Sequence, residues 1–168
     1  AGAAKAALER AGVEGKQSGH VAYGHVINTE PKDMYLSRVS AMEAGIPDSV
    51  PAMNVNRLCG SGAQAIVSCI QSLAMGDADY ALAGGAESMS RGPYIMPAAR
   101  FGQKMGDVAT MDMLLGALHD PFGHGHMGVT AENVAAEHQI SRDEQDAFAL
   151  ASQERAAAAI AEGRFKDQ

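Results

Sequence analysis

Apolar positions change period several times along the chain. GAAKAALERAG at the start reads as a helix stopped by Gly12, because glycine accepts the left-handed conformation that ends helices. No N-cap precedes it, so residues upstream of this chain are expected. HVAYGHVI (20 to 27) is a buried strand, and NTEPKD is a polar loop punctuated by Pro31. MYLSRVSAMEAG reads as a helix ending at Gly45, PDSVP as a second loop, and AMNVNRL (52 to 58) as a short extended run. From Gly60 onward Ala63, Ile66, Val67, Ile70, Leu73 and Ala74 recur at intervals of three and four, the spacing of a helix with a broad apolar face. The near absence of charge on it predicts burial all round. DYALAGGAE (79 to 87) is a strand-length apolar run, which completes a β-α-β unit whose two strands are expected to be parallel neighbours.

Beyond Met89 the pattern is lost. Residues 90 to 110 mix Gly, Pro, Arg and Met without a period, and a long loop of that kind is more often functional or an interface element than filler. MDMLLGALH predicts a short helix, DPFGHGHMG a Gly/His-rich turn, and the next helix spans about Thr130 to His138. Ser141 and Glu144 form the S-x-x-E pattern of a capping box and open a last helix running to Gly163.

A length of 168 residues suits one ordinary domain. With 46% hydrophobic residues, 5% aromatic and no Trp, the core is built from Ala, Val, Leu, Ile and Met. The 13 basic and 20 acidic residues leave a formal charge of -7, and no basic stripe exists to neutralise a phosphate backbone, so nucleic-acid binding is excluded. No apolar run is expected to approach the ~18 residues of a membrane span, and the Ala-rich start carries Lys5, Glu9 and Arg10 rather than a secretory pattern. A cytoplasmic location is expected. The two cysteines, Cys59 and Cys69, are expected to be reduced thiols.

Cys59 carries the candidate chemistry. The first turn of a helix exposes unpaired N–H groups and about half a positive charge, which favours an anion such as a thiolate. Gly60 and Gly62 permit close backbone approach of a substrate carbonyl to amide donors. The competing reading is a small buried hydrophobe, and position alone does not decide between them. Ten residues of helix separate Cys69 from Cys59 by about 15 Å of rise, well beyond disulfide reach, so Cys69 is expected to be structural. His124 and His126 have H-x-H spacing, but no further ligand group stands at a matching interval and no metal is expected. A substrate-binding loop histidine is the favoured reading. Ser61 lacks the G-x-S-x-G setting of a serine nucleophile, and neither a dinucleotide fingerprint nor a Walker A pattern occurs.

NRLCGSG (56 to 62), AGGAESMS (83 to 90), HMGVTAENVA (126 to 135) and ISRDEQDAFALAS (140 to 152) together resemble the thiolase family, in the family's order and across essentially the whole chain. NTEPKDMYLSRV and GALHDPF further resemble the broad-specificity bacterial β-ketothiolases of polyhydroxyalkanoate synthesis. The resemblance implies an α/β fold layered α-β-α-β-α, in which two similar halves pack together and a loop domain is inserted in the first. Residues 1–88 would be most of the first half without its first strand, and residues 89–168 the start of the loop domain, whose early part makes tetramer contacts in related enzymes. It implies that Cys59 is the nucleophile that accepts an acyl group from acyl-CoA, and that Leu118, His126 and Met127 line the pantetheine and acyl pocket. The reaction would be a reversible Claisen condensation of acetyl-CoA with an acyl-CoA, with coenzyme A as substrate or product and no cofactor, in a homodimer or homotetramer.

The family's Gly-His-Pro histidine, its second cysteine in Cys-x-Gly-Gly-Gly and its Asn-Glu motif are not among these residues. The chain is therefore expected to be a piece of a longer enzyme or a truncated form with little turnover. A thiolase-derived acyl-CoA-binding or assembly module without catalysis is the alternative, and a ketosynthase-like condensing enzyme is a third reading.

Overall fold

The computed structural model describes residues 1–167. The chain divides into two compact units, Ala1–Ala117 and residues 118 onward, where length alone suggests one.

The first unit is a three-layer α/β sandwich. Its sheet has the order β2-β1-β3, with β1 (Ser18–Gly24) at the centre and β2 (Ala52–Val55) and β3 (Tyr80–Gly85) parallel to it on either side. The β-α-β unit is therefore present, but its strands are not neighbours: the crossover through α3 (Ser61–Met75) passes over β1. β1 is covered on both faces, which is why it reads as a continuous apolar run. Val21 and Tyr23 face α1 (Gly2–Ala11) and α2 (Leu36–Glu43), in a core with Leu8, Ala41, Ile46, Val50 and Leu82. Ala22, pointing the other way, packs on Ala65 and Cys69 of α3. Small side chains on that face bring helix and sheet close together.

β1 begins at Ser18 and ends at Gly24, short of the expected Ile27. The His25 amide makes the last ladder bond, to the Val55 carbonyl at 3.1 Å. The next two amides, of Val26 and Ile27, donate instead to the Glu87 carboxylate at 2.8 and 3.0 Å, so a side chain takes over where a strand would have continued. Pro31–Tyr35 is a 3-10 turn rather than plain loop. Asp33 organises its start by accepting from the Thr29 amide and hydroxyl, each at 2.7 Å.

α3 is a correction to two expectations. It is not buried all round: Ser61, Ala65 and Cys69 are covered by the sheet, while Ile66, Val67, Ile70, Leu73 and Met75 are exposed, because one sheet covers one side of a helix. Residues Leu58–Met75 also form an apolar window long enough to cross a membrane, with mean hydropathy 1.3. Within it only one side is covered, where Ala65 and Cys69 dock onto the sheet.

Residues 89 to 112 are less irregular than the sequence suggests. A 3-10 turn at Met89–Arg91 leads to β4 (Tyr94–Ile95), which pairs antiparallel with β5 (Met111–Asp112), and the Asp112 carboxylate accepts from the Leu114 amide to start α4 (Met113–Ala117).

The second unit opens with the hairpin β6 (His119–Asp120) and β7 (Gly125–His126), followed by α5 (Met127–Glu137) and α6 (Arg142–Ala161). α5 starts three residues before the expected Thr130, because the His126 ring caps it. The Ser141 capping box forms as the sequence implies, with Glu144 accepting from the Ser141 amide at 2.8 Å. α6 ends at Ala161, two residues before Gly163.

Candidate functional site around Cys59

Cys59 is exposed, at the tip of the turn between β2 and α3 on the C-terminal edge of the parallel sheet. Ligands of open α/β sheets gather at that edge, beyond the ends of the strands. Gly60 is the helix N-cap, so Cys59 is the residue before the cap, two positions ahead of the first residue of α3.

The backbone of this turn is held in an unusual conformation. Leu58 has φ +48°, in the left-handed region that costs a non-glycine residue about 1–2 kcal/mol. Such a residue persists only where its surroundings determine it. The Leu58 amide donates to Asn56 Oδ1 at 3.0 Å. The Leu58 carbonyl accepts from the Ser61 amide at 3.0 Å and from the Ser61 hydroxyl at 2.6 Å. Ser61 Oγ in turn accepts from the Arg57 amide at 2.9 Å. Ser61 is thus a buried clamp on the turn and not a nucleophile. A β-carbon on Gly62 would meet nothing within 4 Å, which leaves open space over the first turn of α3 for a substrate.

Cys69 is the opposite kind of thiol. It is 5% exposed, its Sγ lies 3.5 Å from the Leu82 carbonyl oxygen, and burial raises its pKa. It packs as a small core residue.

Leu118, His126 and Met127 belong to the second unit and come together there, as the Met127 amide donates to the Leu118 carbonyl at 2.9 Å. His126 Nδ1 accepts from the Gly128 amide at 2.9 Å. In the neutral ring the proton is then on Nε2, which makes that nitrogen a donor. The His126 ring stands edge-on to His119, with centroids 5.2 Å apart. Among the described residues no group of three or more His, Cys, Asp or Glu side chains is arranged to hold a metal ion.

Three side chains near the turn were not singled out by sequence reasoning: Asn56, His25 and Glu87. His25 is 7% exposed and its Nδ1 is 2.8 Å from the Ala86 carbonyl oxygen; a carbonyl only accepts, so Nδ1 carries the proton. Glu87 Oε1 is 3.6 Å from the same nitrogen. A polar residue two positions before a strained turn and a carboxylate just past a glycine-ended strand were the available signals.

A parallel α/β sheet thus presents an exposed cysteine at its C-terminal edge, just ahead of a crossover helix that the sheet covers on one side. The chain belongs to the thiolase family: the model of the thiolase N-terminal domain matches residues 1–168. It is 62% identical to "Beta-ketothiolase BktB" of Cupriavidus necator, over 96% of this chain and 41% of that protein. It is 48% identical to the acetyl-CoA acetyltransferase of Shinella zoogloeoides, over 97% of this chain and 41% of that one. The crystal structure of human mitochondrial 3-ketoacyl-CoA thiolase in complex with CoA superposes with a TM-score of 0.94 at 43% identity, covering 98% of this chain and 42% of the human one. The fold is therefore the thiolase fold, and the chain spans about two fifths of the length of the relatives it matches.

Proposed function

We propose that this chain supplies the nucleophilic side of an acyl-CoA acyltransferase active site, with Cys59 as the acyl acceptor. The Cys59 thiolate attacks the thioester carbonyl of acyl-CoA, the C–S bond to CoA breaks, and CoA leaves as its thiolate, giving an acyl-Cys59 thioester. The α-carbanion of acetyl-CoA, formed by loss of a proton to a base outside these residues, then attacks the acyl group. The Cys59 thiolate is released, and the product is a 3-ketoacyl-CoA. In the reverse direction CoA thiolyses the ketoacyl chain.

The observation that carries this reading is the placement of the two thiols: Cys59 is exposed on a clamped, strained turn at the helix start, and Cys69 is buried. The names of the relatives, a β-ketothiolase and acetyl-CoA acetyltransferases, support the same chemistry, and the NTEPKDMYLSRV and GALHDPF stretches extend the reading to polyhydroxyalkanoate precursor synthesis. In this reading Leu118, His126 and Met127 face the pantetheine and acyl portions of the substrate, and CoA is substrate and product with no cofactor. Residues 1–88 belong to the first thiolase half and 89–168 begin its loop domain. The exposed apolar side of α3 packs against the rest of a longer protein, which assembles as a cytoplasmic homodimer or homotetramer.

The test is alkylation of the intact protein with iodoacetamide at neutral pH, followed by mass spectrometry. Cys59 is labelled first and acetyl-CoA protects it, and Cys59→Ala abolishes acetyl exchange with CoA. Equal slow labelling of both thiols, or exchange retained in Cys59→Ala, overturns the proposal.

A further inference from the structure

The segment that follows β1 connects the ends of all three strands. Glu87, just past the end of β3, holds the Val26 and Ile27 amides at 2.8 and 3.0 Å. The Val26 carbonyl, thereby fixed, accepts from Asn56 Nδ2 at 3.3 Å. Asn56 follows β2 directly, and its other side-chain atom, Oδ1, accepts from the Leu58 amide at 3.0 Å. Leu58 is the residue with φ +48°, and the next residue is Cys59. His25 stands behind this chain of bonds, buried, with Nδ1 on the Ala86 carbonyl and beside the Glu87 carboxylate.

We propose that Glu87 and Asn56 are positioning residues for Cys59, acting as one relay: Glu87 sets the backbone after β1, that backbone sets Asn56, and Asn56 holds Leu58 in the left-handed conformation that aims the thiol. The inference rests on Cys59 being the nucleophile. A left-handed leucine relaxes unless its neighbours hold it, and the Asn56 side chain bonds the amide of that residue directly. Asn56 is held in turn by a carbonyl whose own peptide chain is anchored by a carboxylate just past the end of β3. Neither side chain takes part in proton transfer or touches the acyl group. Their effect is on where the sulfur stands.

The experiment compares Glu87→Gln, Asn56→Ala, Asn56→Asp and the double variant Glu87→Gln/Asn56→Ala in the intact protein. Glu87→Gln turns one acceptor oxygen into an NH2 that faces a backbone N–H. Asn56→Asp keeps the acceptor for Leu58 but replaces the donor to Val26 with an oxygen. A displaced nucleophile costs turnover more than binding, so kcat for acetyl-CoA falls about tenfold or more in each single variant while KM stays within about twofold. Iodoacetamide labelling of Cys59 changes with kcat, and Cys69 stays unlabelled. Because the residues act in series, the double variant loses no more than the worse single one, where independent effects would add.

The proposal is overturned by wild-type kcat in the single variants, by additive losses in the double variant, or by Cys69 labelling that rises in step with the lost activity, which would mean a loosened core. A Cys59→Ala control separates the two levels. If Cys59→Ala is inactive while the Asn56 and Glu87 variants turn over normally, the relay alone fails; if Cys59→Ala still exchanges acetyl groups, the nucleophile assignment fails.

Discussion

Gly24 and Ser61 approach so closely that a β-carbon on Gly24 would lie 2.7 Å from the Ser61 carbonyl carbon and 2.8 Å from the Gly62 nitrogen. The end of the central strand thus touches the start of the helix that follows Cys59, and both contacts are backbone, which cannot swing aside. Gly24→Ala is expected to push α3 off the sheet and to destabilise the protein by about 1–3 kcal/mol, the usual cost of overpacking a filled core. Denaturant unfolding of the intact protein measures it. The same change moves Cys59, so alkylation at that thiol changes too, while a substitution at Gly62, whose β-carbon meets nothing within 4 Å, leaves stability within about 1 kcal/mol.

Leu58 gives a second, opposite pair. Leu58→Gly removes the left-handed penalty but also frees the unfolded chain, so net stability is expected to change by less than about 1 kcal/mol. Leu58→Val places a β-branched side chain at positive φ and is expected to destabilise by more than about 1 kcal/mol. Thermal melts of both variants, run side by side, check the ordering; a Val variant as stable as the Gly variant would contradict the strained turn.

Asp33 predicts a pH dependence. The Thr29 hydroxyl, followed by the Thr29 amide, holds its carboxyl below the ordinary range. With the folded pKa depressed, the carboxylate's contribution to the 3-10 turn at Pro31–Tyr35 is present above the ordinary carboxylate pKa and lost as pH falls through the folded value. Thr29→Val removes the larger cause and leaves the backbone one, so the titration should move up toward the ordinary value without reaching it. Carboxyl carbon chemical shifts against pH follow this directly, and an unchanged Asp33 titration in Thr29→Val would refute it.

Much of the fold was legible in local signals. Gly12 ends α1 in the left-handed conformation, and the Ser141–Glu144 box opens α6, because capping chemistry acts within one turn. Strand ends were less legible. His25, Val26 and Ile27 have apolar-run character and strand propensity, but the carboxylate that captures the Val26 and Ile27 amides comes from Glu87, about sixty residues away. The start of α5 was misplaced for a similar reason, since a histidine ring is an uncommon cap.

The sequence by itself determined that this is an α/β chain with a cysteine at a helix start, and its four separated motifs carried the family resemblance, because periodicity, caps and motif spacing are properties of neighbouring residues. Only the tertiary structure decided the strand order, with β1 between β2 and β3, and that α3 has one covered side and one open side. It alone showed Cys59 to be exposed, which position in the sequence left open, and brought Glu87 and Asn56 to the same turn. Those are contacts between residues far apart in the chain, and they exist only once the sheet has formed.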